Sequence, residues 1–153
     1  MAVKALIVDD DEIIRTTLKK VLIKDKLLAR HKIQVIEASD GREGLAKFEE
    51  HKPDLIIVDL LMPKVDGFTV IREVRASEHG ADIPIAVTSG VYKDAGIADE
   101  LEQKHRAHLF TKPYELKHIA EYVNDVVSSQ GRVTRPSNPP PLTTREGNIA
   151  ERS

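Results

Sequence analysis

The chain has no cysteine among its 153 residues. Without thiols it can form neither disulfides nor thiolate metal sites, and thiol nucleophiles are excluded, which fits a reducing compartment. A strong charge of one sign is also missing, because the formal net charge is only -2 although 31% of the residues are charged. This balance offers no electrostatic argument for nucleic acid or an anionic membrane as a partner.

Long hydrophobic runs are absent as well. The apolar run nearest the N terminus, Ala5 to Val8, is far too short for a signal peptide or a membrane span. We therefore expect a cytoplasmic protein. A chain with 41% hydrophobic residues at this length is long enough for one well-buried core and too short for two ordinary domains.

The most informative stretch is PDLIIVDLLMPKVDGF, residues 53–68. Its apolar run, Leu55 to Val58, is too short for a helix and mostly β-branched, which predicts a strand buried on both faces. Asp59 follows at the carboxyl end, where open parallel sheets bind ligands. The later Asp66-Gly67 pair predicts a tight turn before a helix.

Similar apolar runs alternate with amphipathic stretches along the chain. The predicted strands cover residues 4–8, 33–38, 55–58, 83–87 and 107–110. The predicted helices run from the N-cap Asp11 to about Arg30, over 41–51, around Phe68, Ile71 and Val74, over 92–104, and along the stripe Leu116, Ile119, Ala120, Val123 and Val126. Alternation of this kind predicts a doubly wound α/β domain with a parallel sheet and right-handed crossovers.

The pattern stops near Gln130. We predict one domain over residues 1–129 and a proline-rich tail over 130–153, extended or disordered, because its composition cannot bury enough surface to offset chain entropy. Three apolar residues in it, Val133, Leu142 and Ile149, could anchor it in an extended groove. We expect a neighbouring subunit or a partner to hold the tail if it is ordered at all.

Polar residues collect where the predicted strands end. Asp9 and Asp10 follow the first strand, Asp59 the third, Thr88 the fourth, and Lys112 the fifth. In a parallel sheet all five lie at one rim, and crowded carboxylates there need a cation or a raised pKa. An all-oxygen cluster suits Mg²⁺, and a carboxylate can accept a phosphoryl group as a covalent nucleophile.

Four segments in this order, VDDDEIIR, IIVDLLMPKVDGF, IPIAVTSG and FTKPY, resemble a response-regulator receiver domain, the phosphoacceptor of two-component signalling. The resemblance covers residues 4 to about 128. It implies a flavodoxin-like fold with five flanking helices and strand order 2-1-3-4-5. It also implies that Asp59 is phosphorylated and that Asp9, Asp10, Asp59 and the Leu61 backbone carbonyl bind Mg²⁺.

The same resemblance assigns the remaining parts. Thr88 is implied as the switch hydroxyl, Lys112 as the counter-ion of the phosphoryl group, and the Lys112-Pro113 bond as cis. A histidine kinase or phosphotransfer protein is the implied donor, and a downstream protein is implied to dock on the face of helix 4, strand 5 and helix 5, with a homodimer also possible. Such a protein is a phosphoacceptor that assists only its own phosphotransfer and dephosphorylation, and is not an enzyme.

One position departs from the family pattern. Leu109 stands where receivers commonly carry Tyr or Phe, and Phe110 should point to the opposite face of its strand. The predicted fourth helix has few core residues, namely Ile97, Ala98 and Leu101. We therefore expect a phosphorylation-dependent shift to run through residues 89–93 rather than through an aromatic ring.

Two other functions fit the same residues less well. A haloacid-dehalogenase-type phosphatase would carry Asp-x-Asp at the first strand and its acidic pair late, whereas here the pair precedes Asp59. A flavodoxin-like electron carrier needs a phosphate loop where this chain has three aspartates. A receiver that docks its partner without phosphorylation remains the alternative. Taken singly, an Asp pair at a strand end is more often a helix cap, and the six histidines are predicted to be surface residues.

Overall fold

The computed structural model of the protein describes residues 3–90 and 95–128. The strands are β1 (Val3–Val8), β2 (Ile33–Ala38), β3 (Leu55–Asp59), β4 (Ile85–Ser89) and β5 (Ala107–Thr111). The helices are α1 (Glu12–Lys24), α2 (Gly41–His51), α3 (Gly67–Ala76), α4 (Ala95–Asp99) and α5 (Leu116–Ser128). A short 3-10 turn spans Ala29–His31, and a π-helical turn, Glu100–Lys104, follows α4 directly.

All five strands are parallel and stand in the order β2-β1-β3-β4-β5. This confirms the predicted doubly wound sheet and its strand order. The inner strands β3 and β4 are buried along their whole length, as expected when helices cover both sides of a sheet. No helix within residues 3–90 and 95–128 is long and apolar enough to cross a membrane.

Two hydrophobic layers sandwich the sheet. Alternate residues of β3 point to opposite layers: Leu55 and Ile57 to one, Ile56 and Val58 to the other. The first layer is closed by α1 and α5, through residues such as Leu18, Leu22, Ile119, Val123 and Val126. The second is closed by α2, α3 and the π-helical turn, through Phe48, Val70, Ile71, Val74 and Leu101. The layers fix the strands and leave their carboxyl ends at one open rim.

Helix α1 and strand β4 depart most from their predicted bounds, and the last helix differs in which residues are buried. Helix α1 ends at Lys24, short of Arg30, because Asp25 adopts an extended backbone and the chain turns to bury Leu28. Strand β4 begins at Ile85 and includes Ser89, since Pro84 has no N–H to donate to a strand ladder. In the last helix of the prediction, Leu116 is exposed, whereas Tyr122 is buried.

The fourth helical segment is the least regular part of the described chain. Its core contact is made chiefly by Leu101, which is fully buried in the π-helical turn, while Ile97 packs against the same layer from the side. This agrees with the weak core face predicted from the sequence. The predicted start at residue 92, the segment 91–93 and the tail after residue 129 lie outside the described residues.

Candidate functional site

The rim formed by the carboxyl ends of β1, β3, β4 and β5 brings together the polar residues that the sequence singled out. Asp59 is the last residue of β3, and its register partner on β4 is Thr88. Asp9 follows β1, and its N–H donates to the Ala38 carbonyl at the end of β2. Lys112 follows β5, with its N–H donating to the Ser89 carbonyl. Parallel strand ends therefore place these side chains within reach of one another.

Asp59 is the centre of the cluster. Its Oδ1 accepts a hydrogen bond from Lys112 Nζ at 3.0 Å and another from Thr88 Oγ1 at 3.2 Å. Both donors use the same oxygen, so Oδ2 is the one that neither of them engages. Asp59 and Thr88 are buried, whereas the Lys112 side chain is 25% exposed. A buried carboxylate is thus held by one cation and one hydroxyl, with its other oxygen left for a further partner.

Three carboxylates meet at this rim. One oxygen each of Asp9, Asp10 and Asp59 lies within 4.8 Å of the others. The Oδ1 atom of Asp9 accepts the N–H of Asp11 at 2.8 Å. Asp9 Oδ2 is buried and has no hydrogen-bond partner, the one such side-chain atom among the residues that the structure describes. A buried acceptor without a donor is costly, so this oxygen is suited to a cation.

Burial dominates the electrostatics of the cluster. It raises the pKa of Asp9 to about 6, with the charges of Asp59 and Asp10 acting in the same direction and the Asp11 N–H and Lys112 acting against it. Burial also raises the pKa of Asp59, opposed chiefly by its hydrogen bond and charge contact with Lys112. The protein alone therefore neutralises the negative charge of the ionised carboxylates only in part. A bound divalent cation would neutralise the rest.

Two aspartates flank the site as helix caps. Asp11 Oδ1 accepts from the N–H groups of Ile13 and Ile14, which confirms it as the N-cap of α1. Asp66 caps α3 by accepting from Thr69 N–H at 2.9 Å. Gly67 is the first helical residue, and a Cβ there would stand 2.4 Å from the Asp59 carbonyl oxygen. The Asp-Gly pair therefore allows α3 to approach the end of β3, rather than forming the tight turn predicted from the sequence.

Three further predictions concern residues near Asp59: the Lys112-Pro113 bond, the position of Leu109 and the carbonyl of Leu61. The Lys112-Pro113 peptide is cis, as predicted. Leu109 packs against the layer of α2 and α3, while Phe110 is buried in the layer of α1 and α5, so the two point to opposite faces. Phe110 accordingly does not replace a ring at position 109. Leu61, whose carbonyl is the remaining predicted ligand, lies two residues beyond Asp59 with an exposed side chain.

The six histidines, predicted to be surface residues, are only partly exposed. All six are half-buried, and His108 of β5 stacks on Tyr122 of α5 with ring centroids 5.2 Å apart. Phe110 contacts both rings, with centroids at 4.7 Å from His108 and 5.7 Å from Tyr122. Burial lowers the pKa of His108 to about 4. Their polarity suggested solvent, but an imidazole also has an apolar body that packs well against rings.

Sequence reasoning missed one residue that touches the site. Arg15 lies in the first turn of α1, and its Nη1 donates to the Asp9 carbonyl at 2.8 Å. Its position four residues after the cap Asp11 was the available signal, since helical side chains lean back over the preceding turn.

Comparison with known proteins agrees with this geometry. The family model described as response regulator receiver domain matches residues 5–124. The chemotaxis protein CheY of Bacillus subtilis is 29% identical over 128 residues, which cover 84% of this chain and all of that protein. The transcriptional regulator RpaA of Synechocystis is 31% identical over 132 residues, covering 85% of this chain but only 51% of the regulator.

Solved structures give the same answer. The structure of the Vibrio cholerae chemotaxis protein CheY4 matches with a TM-score of 0.71 and 26% identity, covering 82% of this chain and 99% of that one. The N-terminal domain of an uncharacterized Wolinella succinogenes protein matches with a TM-score of 0.66 and 31% identity, covering 80% and 92%. With the sheet order, the acidic rim and a family match over most of its length, this chain belongs to the response regulator receiver domain family.

Proposed function

We propose that Asp59 accepts a phosphoryl group from a phosphohistidine on a histidine kinase or phosphotransfer protein. Receiver domains are signalling phosphoacceptors rather than classical enzymes. The observation that supports the assignment to Asp59 is the convergence of Lys112 and Thr88 on its Oδ1, beside the carboxylates of Asp9 and Asp10.

The proposed step is an in-line displacement at phosphorus. A carboxylate oxygen of Asp59 forms the new P–O bond, the P–N bond of the phosphohistidine breaks, and the imidazole nitrogen leaves with the electron pair. Asp59 must be ionised to attack, and the contact with Lys112 favours that form although burial opposes it. Lys112 Nζ then neutralises an oxygen of the transferred group, and the Thr88 hydroxyl donates to another.

Magnesium is the proposed cofactor. The residues fit it because they offer only oxygen ligands and because buried Asp9 Oδ2 lacks any donor. Asp9, Asp10, Asp59 and the Leu61 carbonyl would hold the ion, which when bound supplies positive charge for the phosphoryl oxygens. Asp9 and Asp10 thus bind and orient, while Asp59 is the nucleophile.

Output is proposed to pass through the face formed by α4, β5 and α5. The described part of α4 and its π-helical turn is anchored in the core mainly by Leu101, so a modest bias at Thr88 can reposition it. A downstream protein would dock there, and the same face could form a homodimer. Because phosphohistidine donors draw on ATP, the proposed location is the cytoplasm.

The direct test is the intact mass after incubation with acetyl phosphate and Mg²⁺. We expect uptake of one phosphoryl group, lost in Asp59→Asn and in EDTA. Asp82→Asn is the matched control, because the Asp82 side chain is 78% exposed and lies outside the rim. Equal labelling of the Asp59→Asn protein, or labelling that EDTA leaves unchanged, would show that the assignment is wrong.

The alternative is a receiver-like module that binds its partner without phosphorylation. Pull-downs with and without beryllofluoride separate the two, because this anion mimics the phosphoryl group on an aspartate. Partner capture that increases with beryllofluoride supports signalling through Asp59. Equal capture in both conditions, and by the Asp59→Asn protein, would favour the alternative. Substituting Leu109 by Ala or Tyr tests the output route, since we expect partner binding to survive both changes.

A further inference from the structure

Arg15 lies on the first turns of α1 and connects the acidic cluster to the edge strand β2. Its Nη1 donates to the main-chain carbonyl of Asp9 at 2.8 Å, and its Nε contacts Glu37 Oε1 at 3.3 Å. The arginine side chain is only 16% exposed. Two donors of one rigid guanidinium are thus used in two different directions, which an ammonium group cannot reproduce.

The acceptor end of this bridge is itself held. Glu37 Oε2 contacts Lys19 Nζ at 3.4 Å, and the Glu37 carbonyl accepts from Lys47 Nζ at 3.0 Å. Arg15 is therefore held by Glu37, whose carboxylate also contacts Lys19 of α1 and whose main-chain carbonyl contacts Lys47 of α2. The opposite charge of Glu37 also cancels much of the field of the guanidinium, so its contribution to the rim is chiefly geometric.

The other end of the bridge completes the restraint of Asp9. The Asp9 N–H donates to the Ala38 carbonyl, and Asp9 Oδ1 accepts the N–H of Asp11 at 2.8 Å. Arg15 donates a hydrogen bond to the Asp9 carbonyl, which belongs to the peptide group joining Asp9 to Asp10. The orientation of this peptide sets the main-chain position from which the Asp10 side chain extends into the acidic cluster.

We infer that Arg15 is a positioning residue for the divalent-cation site, holding the Asp9–Asp10 peptide so that both carboxylates face the ion. The inference rests on the proposed function, since it concerns the Mg²⁺ site proposed above. Outer partners of metal ligands of this kind typically affect metal affinity by about 10-fold or more when removed. Arg15 touches no reacting atom in this arrangement.

The test compares two cations on the same helix. Arg15→Met and Lys19→Met each remove one positive charge next to Glu37, but only the first removes the contact with the Asp9 carbonyl. Charge alone predicts slightly tighter Mg²⁺ binding in both variants, because a cation near the acidic cluster competes with the metal. Positioning predicts the opposite sign for Arg15→Met and no weakening for Lys19→Met.

The readout is Mg²⁺ affinity of the unphosphorylated protein, measured by calorimetry and by the amide NMR shifts of Asp10 and Asp11, with the thermal midpoint as a fold control. We expect Arg15→Met to weaken Mg²⁺ binding about 10-fold and to shift these amides already without metal. Equal affinity in the Arg15→Met and Lys19→Met proteins would overturn the inference.

A second variant keeps the test decisive if Arg15→Met does not fold. Arg15→Lys retains the charge but not the two-directional contact, so we expect affinity to remain below that of the unmodified protein. Full affinity in Arg15→Lys would overturn the inference. If the unmodified protein itself binds no Mg²⁺, the proposed function fails with it. Normal binding that is lost in Asp10→Asn but unchanged in Arg15→Met would overturn only the role of Arg15.

Discussion

Two regions of this molecule bury ionisable side chains, and they differ in the contacts that offset the loss of hydration. At the rim, burial raises the pKa of Asp9 to about 6, and one oxygen of Asp9 remains without any donor. Between β5 and α5, burial lowers the pKa of His108 to about 4, but the ring stacks on Tyr122 and contacts Phe110.

The difference shows how burial relates to function. The neutral imidazole of His108 loses little by leaving water, because its ring gains packing contacts in return. At the rim, burial raises the pKa of Asp9 and of Asp59, and Lys112 and Thr88 hydrogen-bond only Asp59. A site whose buried charge is not fully neutralised by the protein is suited to bind a ligand of opposite charge. The protein's own rings pack around His108, whereas the carboxylates at the rim are arranged for a cation and a phosphoryl group.

The largest expected effect is at the cation of the rim. Lys112→Met should slow phosphoryl uptake from acetyl phosphate by about 100-fold, or about 2.7 kcal/mol, because a charge-stabilising donor is lost. The rate is followed by intact mass over time in excess Mg²⁺. Lys117→Met is the control, since Lys117 is an exposed lysine on α5. A Lys112→Met rate within twofold of the unmodified protein would contradict the role assigned to this residue.

The next effect is a loss of folding stability at acid pH that arises from His108. The ordinary pKa of a histidine is 6.5, and that of His108 in the folded protein is about 4, so between these values the unfolded state binds the proton and the folded state does not. Stability is therefore lost as pH falls from 6.5 towards 4, by on the order of 2 kcal/mol. Urea denaturation at several pH values measures this loss.

His108→Phe should remove most of this acid-dependent loss while retaining a ring against Tyr122. The control is His118→Gln, which removes another half-buried histidine and leaves the stack of His108 on Tyr122 in place. Identical pH slopes in the His108→Phe and unmodified proteins would show that the stack does not exclude the proton.

The smallest expected effect has the opposite sign. Asp9 has a folded pKa of about 6 against an ordinary value of 3.8, so its ionised form destabilises the fold above pH 6, and stability is regained as pH falls from about 6 towards 3.8. Asp9→Asn should therefore raise the free energy of unfolding at pH 8 in EDTA, by on the order of 1 kcal/mol. A lower free energy of unfolding for Asp9→Asn under these conditions would show that ionised Asp9 does not destabilise the fold.

Added Mg²⁺ sharpens this last comparison. The ion should stabilise the unmodified protein and leave Asp9→Asn nearly unaffected, because a ligand that binds only the folded state raises its stability. Thermal midpoints with and without Mg²⁺ measure the difference. Equal stabilisation of both proteins would place the ion elsewhere.

The amino-acid sequence by itself determined the order of the elements and the membership of the rim. Short β-branched runs alternating with amphipathic stretches predict a parallel sheet, and in such a sheet residues that follow strands share one edge. The position of Asp59, Thr88 and Lys112 at one edge follows from that rule alone. The strand order required the family resemblance, because local patterns do not record which strands are neighbours.

Only the tertiary structure decided the contacts that give the rim its properties. These are the two donors on one oxygen of Asp59, the unpartnered Oδ2 of Asp9, and the bridge from Asp9 through Arg15 to Glu37. The close approach of Gly67 to Asp59 and the stack of His108 on Tyr122 belong to the same group. Each depends on side-chain direction and on elements distant in the sequence, which hydrophobic periodicity does not encode.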